Sequence, residues 1–234
     1  MTMTDRTRFD AWASARPEPR LSDWLREISA PDWEAMVAHP LTTALAAGSL
    51  PRPVFARYLV QDYGFIDPFT ALLGHAIGHA PAMADRVVLG QFVGMLTSDE
   101  NTFFQRAFDA FDVPAGTRDR PDYLPVTDAF RDLLREVGDG QSYAEMMAVL
   151  VVTEWLYLSW ATRVTAAPDL DPFYAEWIAL HDNPDFVVFV EWLKTRLDAV
   201  GSELPDPAFA RLAACFRRTV ALERQFHDAC LAAA

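Results

Sequence analysis

Basic charge is scarce in this chain: 20 lysines and arginines stand against 33 acids, a formal charge of −13. Such a surface repels a phosphate backbone, and no basic stripe, zinc-finger spacing, helix-turn-helix signature or Gly-rich phosphate loop offsets it. Direct nucleic-acid binding is not expected. Cysteine is nearly absent too. Cys215 and Cys230 lie fifteen residues apart on one expected helix, roughly 22 Å at 1.5 Å per residue, which is beyond disulfide reach. Reduced thiols in a cytoplasm fit that spacing. No run of ~20 uncharged apolar residues marks a membrane span. Residues 1–20 mix acids with bases around no apolar stretch, so the expectation is a flexible N-terminal arm rather than a secretory signal. Sustained period-two alternation, repeats, low-complexity tracts and interdomain linkers are missing as well.

What remains is helical. Half of the 234 residues are apolar, enough for one substantial core in one domain over residues 21–234. Residues 21–38 carry apolar side chains at helical spacing behind Ser22 or Asp23, with Pro31 dividing them. A short helix stopped by Gly48 precedes a long one starting near Pro53 and kinked at Pro68. Residues 82–111 read as helical, with Ser98 and Asp99 as a cap or break. "DVPAGTRDRPDYLP" reads as a loop. Helices then follow at about 126–137, 142–166, 172–181, 184–199 and 206–232. The fold class is all-α.

Chemistry begins where acids interrupt this core pattern. In "VVTEWLYLSW" Glu154 sits in an almost unbroken apolar run, with Tyr157 three residues on and on the same helix face. A buried carboxyl without partners has a raised pKa and stays protonated, the state a general acid needs near neutral pH. In "RYLVQDYGFIDPF" Asp62 has Tyr58 one turn before it and Phe65 and Phe69 after it, an acid set in an aromatic wall. In "TVALERQFHDAC" Glu223 has Phe226 and His227 one turn on. For each acid alone a solvated face or a satisfied core position is the commoner arrangement, and it is their conjunction that points to a site.

Together these segments resemble the TenA family of the TENA/THI-4/PqqC superfamily, whose members share a haem-oxygenase-like helical bundle and include thiaminase II. The resemblance rests on "HPLTTALAAGSLPRPVFARYLVQDYGFI", "ENTFF", "TEWLYLSW", "DPFYAEWIALHDNPDF" and "LERQF", in family order and spacing over residues 39–230. It implies that Asp62 holds the amino group and ring nitrogen of a pyrimidine, that Glu223 is the acid on the terminal helix, and that Tyr157 supports the reacting group. Phe65 falls at an aromatic pocket position, and His181 stands where many members have tyrosine. Tyr58 and Phe226 join these as candidate binding residues. Thiaminase-type members carry a cysteine four residues before the tyrosine; here that residue is Thr153, whose hydroxyl is a poor nucleophile without a base. A glutamate-type branch without the cysteine has a glutamate three residues before the tyrosine, as "TEWLY" does, and this sequence resembles that branch.

The resemblance implies a hydrolase of thiamin-breakdown pyrimidines, acting on an aminomethyl or N-formyl-aminomethyl group with Glu154, Glu223 and Tyr157 as catalytic residues. It implies neither cofactor nor metal, no nucleic-acid or membrane partner, and a homo-oligomer, tetramer or dimer. Two alternatives stand beside it: an inactive pyrimidine-binding protein, and a di-metal oxidase of haem-oxygenase-like fold. For the latter, His75 and His79 lie four apart, as do Glu223 and His227. His75, however, is thirteen residues past Asp62, roughly 140° around an ideal helix. Tyr123 or Val126 is the candidate for a further pocket aromatic position.

Overall fold

The structure, a computed structural model, describes residues 3–232. Helix α1 covers Asp5–Ala13, α2 Leu21–Ile28, α3 Ala30–Val37, α4 Pro40–Ala46, α5 Arg52–His79 and α6 Met83–Met95. A π-turn, Leu96–Glu100, joins α6 to α7, Asn101–Ala110. Then follow α8 Ala115–Asp119, α9 Pro125–Asp139, α10 Tyr143–Arg163, α11 Pro172–His181, α12 Pro184–Ser202 and α13 Asp206–Ala232. Among the described residues there is no strand, and the bundle is all-helical as expected.

Local chemistry explains where most of these helices start. Helices α3, α4, α5, α9, α11 and α12 each have proline at the first or second position. There its fixed φ suits the helix and its missing N–H costs nothing. Asp171 caps α11 by accepting from the Phe173 N–H at 2.9 Å, and Asn183 caps α12 by accepting from the Phe186 N–H at 2.9 Å. His39 caps α4 in a less usual way: its Nδ1 accepts from the Leu41 N–H at 3.1 Å. The proton then sits on Nε2, which donates to Asp228 at 3.1 Å and ties α4 to α13. Gly48, at φ +70°, ends the turn after α4, a backbone state that costs glycine nothing.

Helix α10 runs through the middle, packed by α13, α12, α3, α5 and α11. By length and composition it is the one described helix that suffices to cross a membrane, but 78% of its apolar window is buried inside the protein. Its residues from Met146 to Val152 are fully enclosed, and each buried Val, Leu or Met side chain contributes about 1.5–3 kcal/mol by leaving water. Helix α5 lies across it and continues past Pro68, an interior proline that removes one ladder hydrogen bond.

Several sequence expectations change here: Arg20 rather than Ser22 or Asp23 holds the N-cap position of α2, and "DVPAGTRDRPDYLP" contains the short helix α8. The first twenty residues are not a loose arm throughout, because α1 is capped by Thr4 and docks Phe9 against Trp24 and Phe209 at 5.6 and 5.7 Å. Arg6 anchors it by donating to the Gly201 and Leu204 carbonyls at the end of α12. Nor do Ser98 and Asp99 cap a new helix. The chain stays helical through Leu96–Glu100 and widens by one residue there, with the Ser98 hydroxyl donating back to the Gly94 carbonyl at 2.6 Å.

Candidate active site

A cavity of about 80 Å³ opens between α5, α10, α11, α13 and the π-turn. Its apolar lining includes Phe65, Phe69, Phe92, Phe130, Trp177 and Phe186. Its polar lining is one-sided: Asp62, Glu100, Glu154 and Glu223 face in, with Thr153, Tyr157 and His181, and no lysine or arginine joins them. Aromatic side chains on the wall suit a planar ring, and carboxyl acceptors among them suit its amino groups.

The α5 side is held by a chain of hydroxyls. Tyr157 Oη donates to Asp62 Oδ1 at 3.0 Å and lies 2.9 Å from Tyr58 Oη. Since Tyr157 spends its proton on the carboxylate, Tyr58 donates to Tyr157. Burial and neighbouring acids hold both phenols well above their usual range, so they remain donors. Asp62 is 8% exposed; burial pushes its carboxyl up to about 7, against the lowering effect of the Tyr157 hydrogen bond.

Glu154 is half-buried on the next turn of α10 and lines the cavity. Burial, with the charge of Asp62 acting the same way, raises it to about 8. Glu223 enters from α13, 3% exposed, with Oε2 buried and unpartnered among the described residues. Burial and the charges of Asp62 and Glu154 hold it well above the carboxylate range. His181 closes the α11 side at 4.6 Å from Trp177 and 4.8 Å from Tyr157, ring centroid to ring centroid. Its Nδ1 lies 2.9 Å from the Trp177 carbonyl, so that nitrogen bears the proton and Nε2 is left as an acceptor. Burial lowers the ring to about 4, so it is neutral. Thr153 also faces the cavity, but its hydroxyl donates back to the Val149 and Leu150 carbonyls at 3.2 Å.

The expected site residues therefore fall into two layers. Asp62, Phe65, Glu154, Tyr157, His181 and Glu223 meet in one cavity. Tyr58 and Phe226 do not line it, contrary to the expectation that they contact a ligand. Tyr58 stands behind Tyr157, and Phe226 supports Phe65 at 5.0 Å. Tyr123 is also outside. It packs on the far side of α5, where a Cβ at Gly64 would come within 2.4 Å of its ring, under the Arg131 guanidinium at 4.2 Å. The α9 contribution to the cavity comes instead from Phe130 and Leu134.

Glu100 is the acid that the sequence reading missed. Taking Ser98–Asp99 as a cap put it on an open first turn, yet it shares an i, i+4 row with Leu96 and Phe104, both buried. That row was the available signal. The histidine pairs do not assemble a metal centre: His75 and His79 are exposed, His227 Nδ1 bonds the Glu223 carbonyl at 3.0 Å, and among the described residues no three His, Cys, Asp or Glu side chains group to hold a metal. Cys215 and Cys230 are free, buried and off the cavity wall.

Known proteins place this geometry. The TENA/THI-4/PQQC family pattern matches residues 29–233. An aminopyrimidine aminohydrolase of Halalkalibacterium halodurans is 26% identical over 87% of this chain and 92% of its own length. One of Bacillus subtilis is 23% identical over 88% of each. Among solved structures, a TenA homologue of P. horikoshii superposes with a TM-score of 0.79 at 19% identity, covering 92% of this chain and all of that one. A TenA-family protein of Silicibacter sp. TM1040, described as a transcription regulator, gives 0.80 at 23% identity, with 89% and 95% covered. With the family pattern spanning nearly the whole chain and the same bundle in solved relatives, this chain belongs to the TENA/THI-4/PQQC family.

Proposed function

We propose that the protein hydrolyses a 4-amino-5-aminomethyl-2-methylpyrimidine in thiamin salvage, as a glutamate-type TenA enzyme without a nucleophilic cysteine. The observation that carries this reading is the meeting of Glu154, Glu223 and Asp62 in one aromatic cavity whose cysteine position is occupied by a self-bonded threonine. The names of the relatives in H. halodurans and B. subtilis support the substrate class.

In this mechanism the ring stacks between Phe65 and its aromatic neighbours, and Asp62, oriented by Tyr157, accepts from the 4-amino group. Glu223, held protonated by burial, lends its proton to a ring nitrogen as the C–N bond breaks and takes it back before the product leaves. The ammonium group of the bound substrate favours the ionised form of Glu154, which takes a proton from water as the water oxygen bonds to the exocyclic methylene carbon. The C–N bond breaks with its electron pair staying on nitrogen, so the ammonium group leaves as ammonia and recovers a proton from Glu154. The products are the hydroxymethylpyrimidine and ammonium. A positioned base of this kind contributes typically 10²- to 10⁴-fold.

The test is turnover of the aminomethylpyrimidine, its N-formyl derivative and thiamin by the purified protein, followed by chromatography. Loss of an aminopyrimidine with thiamin intact, abolished in Glu154→Gln, is the expected result. Cleavage of thiamin, or full activity in the variant, would sink the glutamate mechanism. Binding of the pyrimidine without turnover would leave the cavity as a receptor only.

A further inference from the structure

The π-turn between α6 and α7 is the one wide turn among the described residues, and it lies on the cavity wall. A π-turn holds one residue more than an α-turn and offsets the two helix segments it joins, a device that recurs at functional sites. Here the buried stripe of α6, through Asp85, Leu89 and Phe92, meets that of α7, through Phe103, Phe104, Ala107 and Phe108. The wide turn between them turns Leu96 and Glu100 toward the cavity while Thr97, Ser98 and Asp99 stay exposed.

The Glu100 carboxyl forms no hydrogen bond within the described residues, and no cationic side chain lines the cavity beside it. The titratable groups that face the same space are Asp62 from α5, Glu154 and Tyr157 from α10, His181 from α11 and Glu223 from α13. Of these, Asp62 is already engaged by Tyr157, and Glu223 keeps a buried oxygen without a partner. Burial and the charges of Glu154 and Asp62 hold Glu100 well above the carboxylate range, so the empty cavity keeps it protonated. Four carboxyls line this space with no lysine or arginine beside them, an arrangement that suits a cationic group on the ligand.

We propose that Glu100, aimed inward by the π-turn, is the residue that recognises the ammonium group of the substrate and distinguishes it from the neutral hydroxymethyl product. This rests on the pyrimidine reading above and adds to it a specificity determinant on a different helix from the other acids. Entry of an ammonium ion favours the ionised carboxylate, so the amine displaces a proton from the site and the alcohol does not. Departure of ammonia removes the counter-charge, and the alcohol is then held without its help.

The experiment is isothermal titration of wild type, Glu100→Gln and Asp99→Asn with the aminomethyl- and hydroxymethylpyrimidines, each in two buffers of different ionisation enthalpy. Wild type should release protons on binding the amine and few on binding the alcohol. Glu100→Gln, with unchanged melting behaviour, should weaken the amine about 10- to 100-fold, as expected for loss of a charge-assisted hydrogen bond. It should leave the alcohol within about twofold and lower the proton release. Asp99→Asn, exposed on the same turn, should resemble wild type. Equal weakening of both ligands, or no change in either, overturns the role of Glu100 alone. Failure of wild type to bind either pyrimidine overturns the underlying reading and this one with it. Should Glu100→Gln not fold, the wild-type comparison still decides: equal proton release with amine and alcohol rejects ammonium recognition.

Discussion

The cavity has two unlike walls. On the α5 and α10 side, Asp62, Tyr157 and Tyr58 are joined by hydrogen bonds of 3.0 and 2.9 Å. On the α13 side and at the π-turn, Glu223 and Glu100 reach the same space with no comparable tether. Fixed acceptors hold a ligand in one orientation, whereas untied acids can change protonation without breaking a network. The difference assigns orientation of the ring to the tied residues and changes of protonation to the carboxyls outside that network, Glu154, Glu223 and Glu100.

The largest expected effect comes from the untied wall. Glu223→Gln keeps size and polarity but cannot give up a proton, and kcat for the aminopyrimidine should fall about 10²- to 10⁴-fold with KM little changed. A rise in KM at constant kcat would move Glu223 to the positioning wall. Tyr157→Phe attacks the tied wall and should cost about 1–3 kcal/mol in a denaturant melt, because Asp62 loses its donor and Tyr58 its acceptor inside the protein. Without that hydrogen bond the carboxyl of Asp62 should titrate above about 7, which a pH series of pyrimidine binding would detect. Unchanged stability and an unchanged profile would mean that the chain of hydroxyls carries no weight.

How the walls came to be read from sequence differs in the same way. Asp62, Glu154 and Glu223 each break an apolar run within a single helix, so periodicity marked them as candidates and the resemblance supplied their roles. The all-α class followed from the same spacing. Glu100 shares a row with Leu96 and Phe104 that periodicity could have exposed, but reading Ser98 and Asp99 as a cap or break cut that row in two. Tyr58 and Phe226 show the opposite error: their rows point toward the site, but Tyr157 and Phe65 stand in front of them. Depth behind a wall is a tertiary quantity. The docking of α1 was equally hidden, because it relies on Phe9 finding Trp24 and Phe209 far along the chain.

A smaller effect sharpens the contrast through pH. In the unfolded chain Asp62 and Glu154 titrate near 4, while in the folded chain burial lifts them to about 7 and about 8. The folded state therefore holds extra protons, and the stability they give, complete below about pH 4, is lost as pH rises through those values. Burial lifts Glu100 and Glu223 in the same sense. His181 and His227, lowered by burial to about 4 and about 3, work oppositely: their contribution is complete above about pH 6.5 and is lost as pH falls through those low values. Between about pH 6.5 and 8.5 only the acids of this set still change. Melting temperature of the ligand-free protein should fall by a few degrees across that window, about 1–2 kcal/mol once solvent in the cavity is allowed for. Glu154→Gln should flatten the slope, and a flat wild-type profile would remove the protonated wall.

The smallest effect tests the boundary of the site. His79 is exposed at the end of α5, bonded only to the His75 carbonyl at 2.9 Å among the described residues. It stands outside both walls, and His79→Ala should change stability by no more than about 0.5 kcal/mol. Turnover of the aminopyrimidine should stay within about twofold of wild type, with or without a chelator. A loss of turnover in this variant that added manganese or iron restores would place a metal-binding function on α5 and break the assignment of the chemistry to the carboxyl-lined cavity. Retained turnover confines the reacting groups to residues that face one another across it.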